Sequence, residues 1–307
     1  MPTFLGRYVT NPDIRRRIRR IVTAIRIIAD RQVAGRDASI FPDDVYLVSY
    51  PRSGNTWTRF LIANLLHPED ETTFANIESR VPEIYFNVDT TLRNLPRPRI
   101  LKSHEAFNPR YPRIIYIVRD PRDVAVSYYH HNIKWRNIPE NTALDDFIPR
   151  FIAAEFDPWS GSWADNVDGW LNVRQGRDSF LLLRYEDLKQ NTQRELYRTA
   201  GFLQSIGFVG IEDSPEKLAL AEERSSPERM RALEKEQTGQ HVQLKRTRQD
   251  KPFIRTASSG GWRKSLSPRA VSLIEEAWGP TMERVGYTLT QGLEDADTRH
   301  AGQVRNS

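Results

Sequence analysis

The chain has 307 residues, a hydrophobic fraction of 38% and 45 basic against 40 acidic residues, a net charge of +5. That length suits one large α/β domain or two small ones, and the mild basic excess suits an anionic partner, be it small molecule, nucleic acid or membrane. The absence of cysteine excludes disulfides, thiolate metal sites and cysteine nucleophiles, and no apolar run approaches the ~18 residues of a membrane span.

The start of the chain lacks the apolar core and small-residue cleavage site of a signal peptide, so a soluble, cytoplasmic protein is expected. Residues 11–30, NPDIRRRIRRIVTAIRIIAD, have apolar positions at helical spacing and arginines clustered at the start. Such a basic amphipathic helix either makes peripheral contact with anionic lipid or packs on the domain with a solvated arginine face. We assign residues 1–40 to this N-terminal segment, 41–287 to the main domain, and the polar tail from 288 to 307 to disorder.

Next comes VYLVSYPRSGNTWTRFLIANLL, residues 45–66. The apolar run Val45–Val48 reads as a buried strand. It breaks at Pro51-Arg52-Ser53-Gly54-Asn55-Thr56, and a helical pattern follows over Thr56–Leu66. A loop between strand and helix points its N–H groups and the helix N-terminus at an anion such as phosphate or sulfate. Gly54 permits close backbone approach; Arg52 adds charge, and Ser53 and Thr56 add hydroxyls. A Walker motif needs a Gly-Lys pair and a hydroxyl on magnesium, and neither is here. The alternative is a plain turn between two core elements.

Further strands are expected at Arg99–Lys102, Ile114–Val118 and Phe180–Leu183. Helices are expected at Pro121–Trp135, Leu144–Ala154, Gly161–Gln175, Thr192–Ile206, Pro215–Ala221 and Pro268–Val285. Residues 222–260, rich in charge, Ser, Gln and Thr, read as a mobile loop. This alternation predicts a mostly parallel central sheet with helices on both faces, and ligands in such sheets sit at the carboxyl ends of strands. Polar residues gather there. His104 follows the second strand and is able to take a proton from an attacking hydroxyl, with Lys102 on the same side of the extended chain. Arg119 ends the third strand, Pro121 opens a helix, and Ser127 lies about two turns along it. Arg119 and Ser127 are placed to converge on one phosphate; pairing of Arg119 with a nearby carboxylate is the alternative. Eight aromatics, among them Tyr85, Tyr128, Phe147, Phe156 and Trp159, line an acceptor pocket or belong to the core.

Taken together, the motifs resemble those of the cytosolic-type sulfotransferases. Tyr50-Pro51-Arg52-Ser53-Gly54-Asn55-Thr56-Trp57 looks like that family's 5′-phosphosulfate loop. The run Ile115 to His130, IYIVRDPRDVAVSYYH, looks like its 3′-phosphate motif. Lys102-Ser103-His104 matches its Lys-Thr-His, Tyr185-Glu186-Asp187-Leu188 its Tyr-Glu-Asp segment, and Gly161-Ser162-Trp163 with Trp170 another family segment. Phe253 to Arg263, FIRTASSGGWR, resembles its C-terminal Arg-Lys-Gly…Gly-Asp-Trp-Lys element.

The resemblance implies a fold related to P-loop nucleotide kinases, with 3′-phosphoadenylyl sulfate (PAPS) as donor and no metal. Arg52, Ser53, Gly54, Asn55 and Thr56 would hold the 5′-phosphosulfate, and Trp57 would stack on adenine. Arg119, Ser127 and Arg255 would hold the 3′-phosphate, while Tyr185 and Ser225 would contact adenine. His104 would be the base. Arg52 and Lys102 would stabilise charge on the leaving phosphate, with Ser53 tuning the reach of Arg52. The partner is then a small molecule with a hydroxyl or amine, not nucleic acid.

Three departures matter. Arg52 replaces the family's loop lysine, and the two are not interchangeable. Arg255-Thr256-Ala257 replaces Arg-Lys-Gly, which removes a charge and a glycine. Ser267-Pro268 stands where the family's dimer element has Thr-Val, so its usual dimer is not expected and the oligomeric state stays open. Two rival readings are a non-catalytic protein that binds an anionic nucleotide or lipid, and an ATP-dependent kinase of the same fold.

Overall fold

The computed structural model describes residues 33–157, 159–237, 248, 250 and 259–290. The basic segment 11–30 and Arg255 lie outside them. The centre is a four-stranded sheet in the order β2-β1-β3-β4, built from β1 (Val45–Ser49), β2 (Ile100–Ser103), β3 (Arg113–Val118) and β4 (Phe180–Arg184). Every pairing is parallel; Leu47, for instance, sits opposite Lys102 on one side and Ile115 on the other.

Alternation along the strands divides two cores. Tyr46 and Val48 of β1, Leu101 of β2 and Ile114, Tyr116 and Val118 of β3 face one cluster. Val45, Leu47, Ile100, Ile115, Ile117, Leu181 and Leu183 face the other. Both clusters are covered by helices, which explains why these strands read as continuous apolar runs. The chain leaves β1 to build β2 on one side and then β3 on the other. That reversal opens a crevice at the carboxyl ends of the strands.

Helices α1 (Asn55–Leu66), α4 (Pro121–Lys134), α5 (Leu144–Ile152), α6 (Trp163–Arg174), α8 (Thr192–Ser205), α9 (Pro215–Arg224) and α11 (Pro268–Arg284) stand within a few residues of their expected bounds. Their starts carry the sequence signals. Asp120 caps α4 ahead of Pro121, Ser162 and Asp165 form a capping box on α6, and Ser267 caps α11 ahead of Pro268, each satisfying N–H groups with no partner inside the helix.

Several expectations are corrected. The segment 222–260 is not all loop: α10 spans Pro227–Glu236, with Ser226 Oγ accepting from Arg229 N and Pro227 at the first position. Composition hid a Ser-Pro cap that has the same chemistry as those of α9 and α11. Short helices α2 (Ile77–Arg80), α3 (Asp89–Arg93) and α7 (Tyr185–Gln190) carry too few residues to show a period. The domain also reaches past its expected limits. Ala34 and Ala38 are buried in one core, with Ala34 N–H donating to the Asn87 carbonyl. At the other end Thr290 donates from N and Oγ to Glu275, and Leu289 packs on the core.

Candidate active site

The loops after all four strands wall one cavity of about 290 Å³. After β1 the chain turns through Tyr50–Gly54. Arg52 takes a left-handed backbone, φ 69°, which costs a non-glycine residue free energy and clusters at functional sites. Its carbonyl accepts from Arg119 Nη1 at 3.1 Å, which braces the turn. Gly54, φ 95°, precedes α1 with no side chain capping the helix. A Cβ there would lie 2.4 Å from the Tyr185 ring, so both the backbone and the close ring demand glycine. The first N–H groups of α1 have no carbonyl a turn earlier, and they open beside Arg52, Asn55, Thr56 and Trp57 of the cavity wall.

His104 follows β2. Its Nδ1 lies 2.9 Å from the Ser49 carbonyl. A carbonyl only accepts, so Nδ1 carries the proton and Nε2 holds the free lone pair. Burial, and then the charge of Lys102, holds the imidazole well below its usual pKa, so it is neutral near pH 7. Trp170 Nε1 and Asn166 Nδ2 both donate to the Glu105 carbonyl, which ties the residue after His104 to α6. Lys102 is buried and donates to Glu83 at 2.6 Å. Burial lowers its pKa while the Glu83 charge opposes the shift.

After β3, Arg119 lays its guanidinium 4.3 Å from the centre of the Tyr185 ring. Its carbonyl accepts from Trp163 Nε1, and the N–H of Asp120 donates to Glu186, which also accepts from Tyr287. The Gly-Ser-Trp and Tyr-Glu-Asp segments therefore brace this turn. Ser127 on α4 accepts from Arg52 Nε at 3.2 Å, and Arg52 Nη1 lies 3.4 Å from His131 Nδ1. A guanidinium only donates, so His131 Nδ1 accepts and its proton sits on Nε2. Burial, then the Arg52 charge, pushes the His131 pKa well down. Asp123, one turn before Ser127, accepts from the main-chain N–H groups of Gly260 and Trp262 at 2.6 and 2.9 Å. It docks the C-terminal Gly-Gly-Trp turn onto the start of α4.

The cavity wall holds Arg52, Gly54, Asn55, Thr56, Trp57, Lys102, His104, Arg119, Ser127 and Tyr185 of the residues singled out in the sequence. Two others lie behind it. Ser53 is fully buried, and its Oγ has no hydrogen-bond partner. The turn that exposes Arg52 and Gly54 sends the side chain between them inward. Ser225, also fully buried, accepts from Asn64 through Oγ and from Trp57 Nε1 through its carbonyl at 2.9 Å. It fixes the indole of Trp57 and does not itself reach the cavity.

Wall residues that went unread in the sequence include Glu83, His131, Trp135, Asp157 and Lys189. His131 stands four residues after Ser127 on α4, and Lys189 four after Tyr185, the spacing of neighbours on one helix face. That spacing was available. Asp157, on the loop after α5, had no such signal. Among the described residues no group of three or more His, Asp or Glu is placed to hold a metal, and no helix is long and apolar enough to cross a membrane.

The family model for the sulfotransferase domain matches residues 42–286. The chain belongs to the sulfotransferase family. Dog sulfotransferase 1A1 is 26% identical over 290 residues, 89% of this chain and 94% of that protein. Human sulfotransferase 2B1 is 33% identical over 171 residues, and there the match spans 52% of this chain and about half, 46%, of the relative's own length. Among solved structures, retinol dehydratase in complex with androsterone and PAP (adenosine 3′,5′-bisphosphate) superposes with a TM-score of 0.67 at 19% identity, covering 84% of this chain and 86% of that one. Mouse SULT7A1 complexed with PAP gives 0.62 at 20% identity, covering 88% and 92%. At that identity the structures speak for the fold, a P-loop-kinase-like sheet. The reaction class of this sulfotransferase is the family's, transfer of a sulfuryl group from PAPS.

The site's chemistry fits that donor. Uncapped helix N–H groups, Arg52, Arg119 and the Ser127 hydroxyl form a donor set that suits phosphate and sulfate, and Gly54 leaves room where a Cβ would close the cradle.

Proposed function

We propose that the sulfuryl group goes to a hydroxyl or amine of a small acceptor, with His104 as the base. The observation that carries this is the Ser49 carbonyl on His104 Nδ1. It leaves Nε2 unprotonated in the same cavity as the anion cradle, where a base must be neutral to accept a proton. When bound, PAPS supplies the electrophilic sulfur and a leaving group in PAP.

Every other role belongs to the chain. The α1 N-terminus with Arg52, Gly54, Asn55 and Thr56 holds the 5′ end of the donor, and Arg119 with Ser127 holds the 3′-phosphate. Trp57, edge-on to Tyr185 at 5.7 Å, offers its face to adenine. Asn55 serves through its main chain, since its side chain donates to Leu47 and Ser49. Arg52 is the cation for the developing negative charge, handed over from Ser127 and His131. Lys102 acts with Glu83 as a neutralised pair near that charge. Arg255, outside the described residues, is assigned to the 3′-phosphate by its motif alone.

Our reading also takes the protein as cytoplasmic, with residues 11–30 as a peripheral contact to anionic lipid. Calorimetric titration with PAP, against ATP with magnesium, tests the donor site. PAP binding that is lost in Arg119→Ala supports it; a preference for ATP with magnesium sinks it in favour of a kinase.

A further inference from the structure

We propose that the acceptor is recognised through an ammonium group, with Asp157 as its counter-charge. The inference rests on the sulfuryl-transfer reading and narrows the acceptor class. Asp157 lines the same cavity as His104. Its carboxylate accepts from neutral donors only: Trp159 N–H at 3.2 Å and Ser160 N–H at 3.4 Å on Oδ1, and the Ser160 hydroxyl at 2.9 Å on Oδ2. Among the described residues no arginine, lysine or histidine pairs with it. The other carboxylate of the wall is different: Glu83 is matched by Lys102 at 2.6 Å and by Arg59 at 3.8 Å.

The cavity's own cations are occupied elsewhere. Arg52 is tied to Ser127 and His131, Arg119 lies on Tyr185 and Lys189 lies 5.2 Å from the centre of the Trp57 ring. Among the described residues, Asp157 therefore brings a negative charge without a counter-ion to a wall shared with Tyr128, Trp135 and a neutral His131. That charge reaches the tyrosines: after burial, it is a cause that raises the hydroxyl pKa of Tyr128 and of Tyr50. A charge partly removed from water is costly until paired, and aromatic faces favour a cation. An ammonium satisfies both, a neutral acceptor leaves the carboxylate unmatched, and an anionic acceptor is repelled.

The test uses phenols that carry a terminal ammonium on two to six methylenes, each set against the uncharged alkylphenol of equal length. Binding to the PAP-loaded protein is measured by calorimetry. At least one ammonium phenol is expected to bind about tenfold tighter than its neutral partner, the size of one modest charge pairing. Asp157→Asn keeps an oxygen for the Trp159 and Ser160 N–H groups, and it should erase the gap while leaving PAP affinity unchanged. Asp157→Lys should turn the preference toward phenols that carry a carboxylate. No gap at any length in the wild type, or a gap that survives Asp157→Asn, overturns the proposal. Failure of PAP itself to bind is a separate result, which removes the donor-site reading and the inference with it.

Discussion

The end of the cavity that we assign to the donor is walled by main chain and by the first residues after β1, β3 and β4: the Pro51–Gly54 turn, the start of α1, Arg119 and Tyr185. The end that we assign to the acceptor is walled by side chains from the second half of α4, the residue that follows it and the loop after α5, namely Tyr128, His131, Trp135 and Asp157. The difference is one of kind. A main-chain cradle needs particular backbone angles and close approaches, so it constrains consecutive residues. A wall of side chains needs only suitable shapes and charges delivered from elements far apart in sequence, and many combinations deliver them.

Breaking the acceptor side of the chemistry should have the largest effect. His104→Ala removes the base proposed above and is expected to lower kcat by 10²–10⁴-fold, as an order of magnitude, with PAP affinity unchanged by calorimetry. Equal kcat in the variant would take His104 out of the reaction. Breaking the donor cradle comes next. Arg119→Ala removes the guanidinium that we assign to the 3′-phosphate and a brace on the Arg52 carbonyl, and charge-assisted hydrogen bonds of this kind are worth about 1.5–3 kcal/mol. A loss of PAP affinity of roughly 10–150-fold follows, seen as a raised Kd. Gly54→Ala acts on the same end through the backbone. The positive φ and the Tyr185 ring at 2.4 Å together should cost about 1–3 kcal/mol of stability, read as a lowered Tm, along with weaker PAP binding.

The same difference explains what the sequence revealed. The donor end was readable because Gly54, Arg52 and the helix start lie within a few residues, and the sheet was readable because strands buried on both faces leave unbroken apolar runs. Ser53 and Ser225 show the limit. Both were given donor contacts by the resemblance, yet a resemblance in sequence does not say which way a side chain turns, and the fold buries each of them. His131 was within reach by its helical spacing from Ser127. Asp157 had no helical spacing to single it out, although the Phe156 and Trp159 beside it were among the aromatics offered to an acceptor pocket. The helix α10 was missed for another reason: the polar composition of 222–260 outweighed a Ser-Pro start.

A smaller effect sharpens how the C-terminal turn is tied to the donor end. Asp123→Ala frees the N–H groups of Gly260 and Trp262 and removes a buried acceptor. A loss of about 1–3 kcal/mol of stability is expected, with a few-fold weaker PAP affinity if the turn helps aim the segment before it. An unchanged PAP Kd in a folded variant would show that the anchor serves stability alone.

The smallest effect concerns the two histidines of the cavity wall, which share one electrostatic signature. Both are held well below the ordinary pKa of 6.5, His104 by burial and then Lys102, His131 by burial and then Arg52. In the unfolded chain they titrate near that ordinary value. Below about pH 6.5 the unfolded state therefore binds protons that the native state refuses, and stability falls as pH drops. Above it neither state binds them, and their contribution is constant. Carboxylates with raised pKa, Glu105 and Glu186 among them, act in the opposite sense at lower pH, so the informative quantity is a difference between proteins. His131→Gln keeps an acceptor for Arg52 and cannot take up a proton. Between pH 7 and 5.5 its denaturant midpoint should fall less than that of the wild type. Parallel slopes would mean that His131 takes up its proton in the native state over the same pH range as in the unfolded chain. Its contact with Arg52 would then be repulsive, and the guanidinium would have to be held by Ser127 without it.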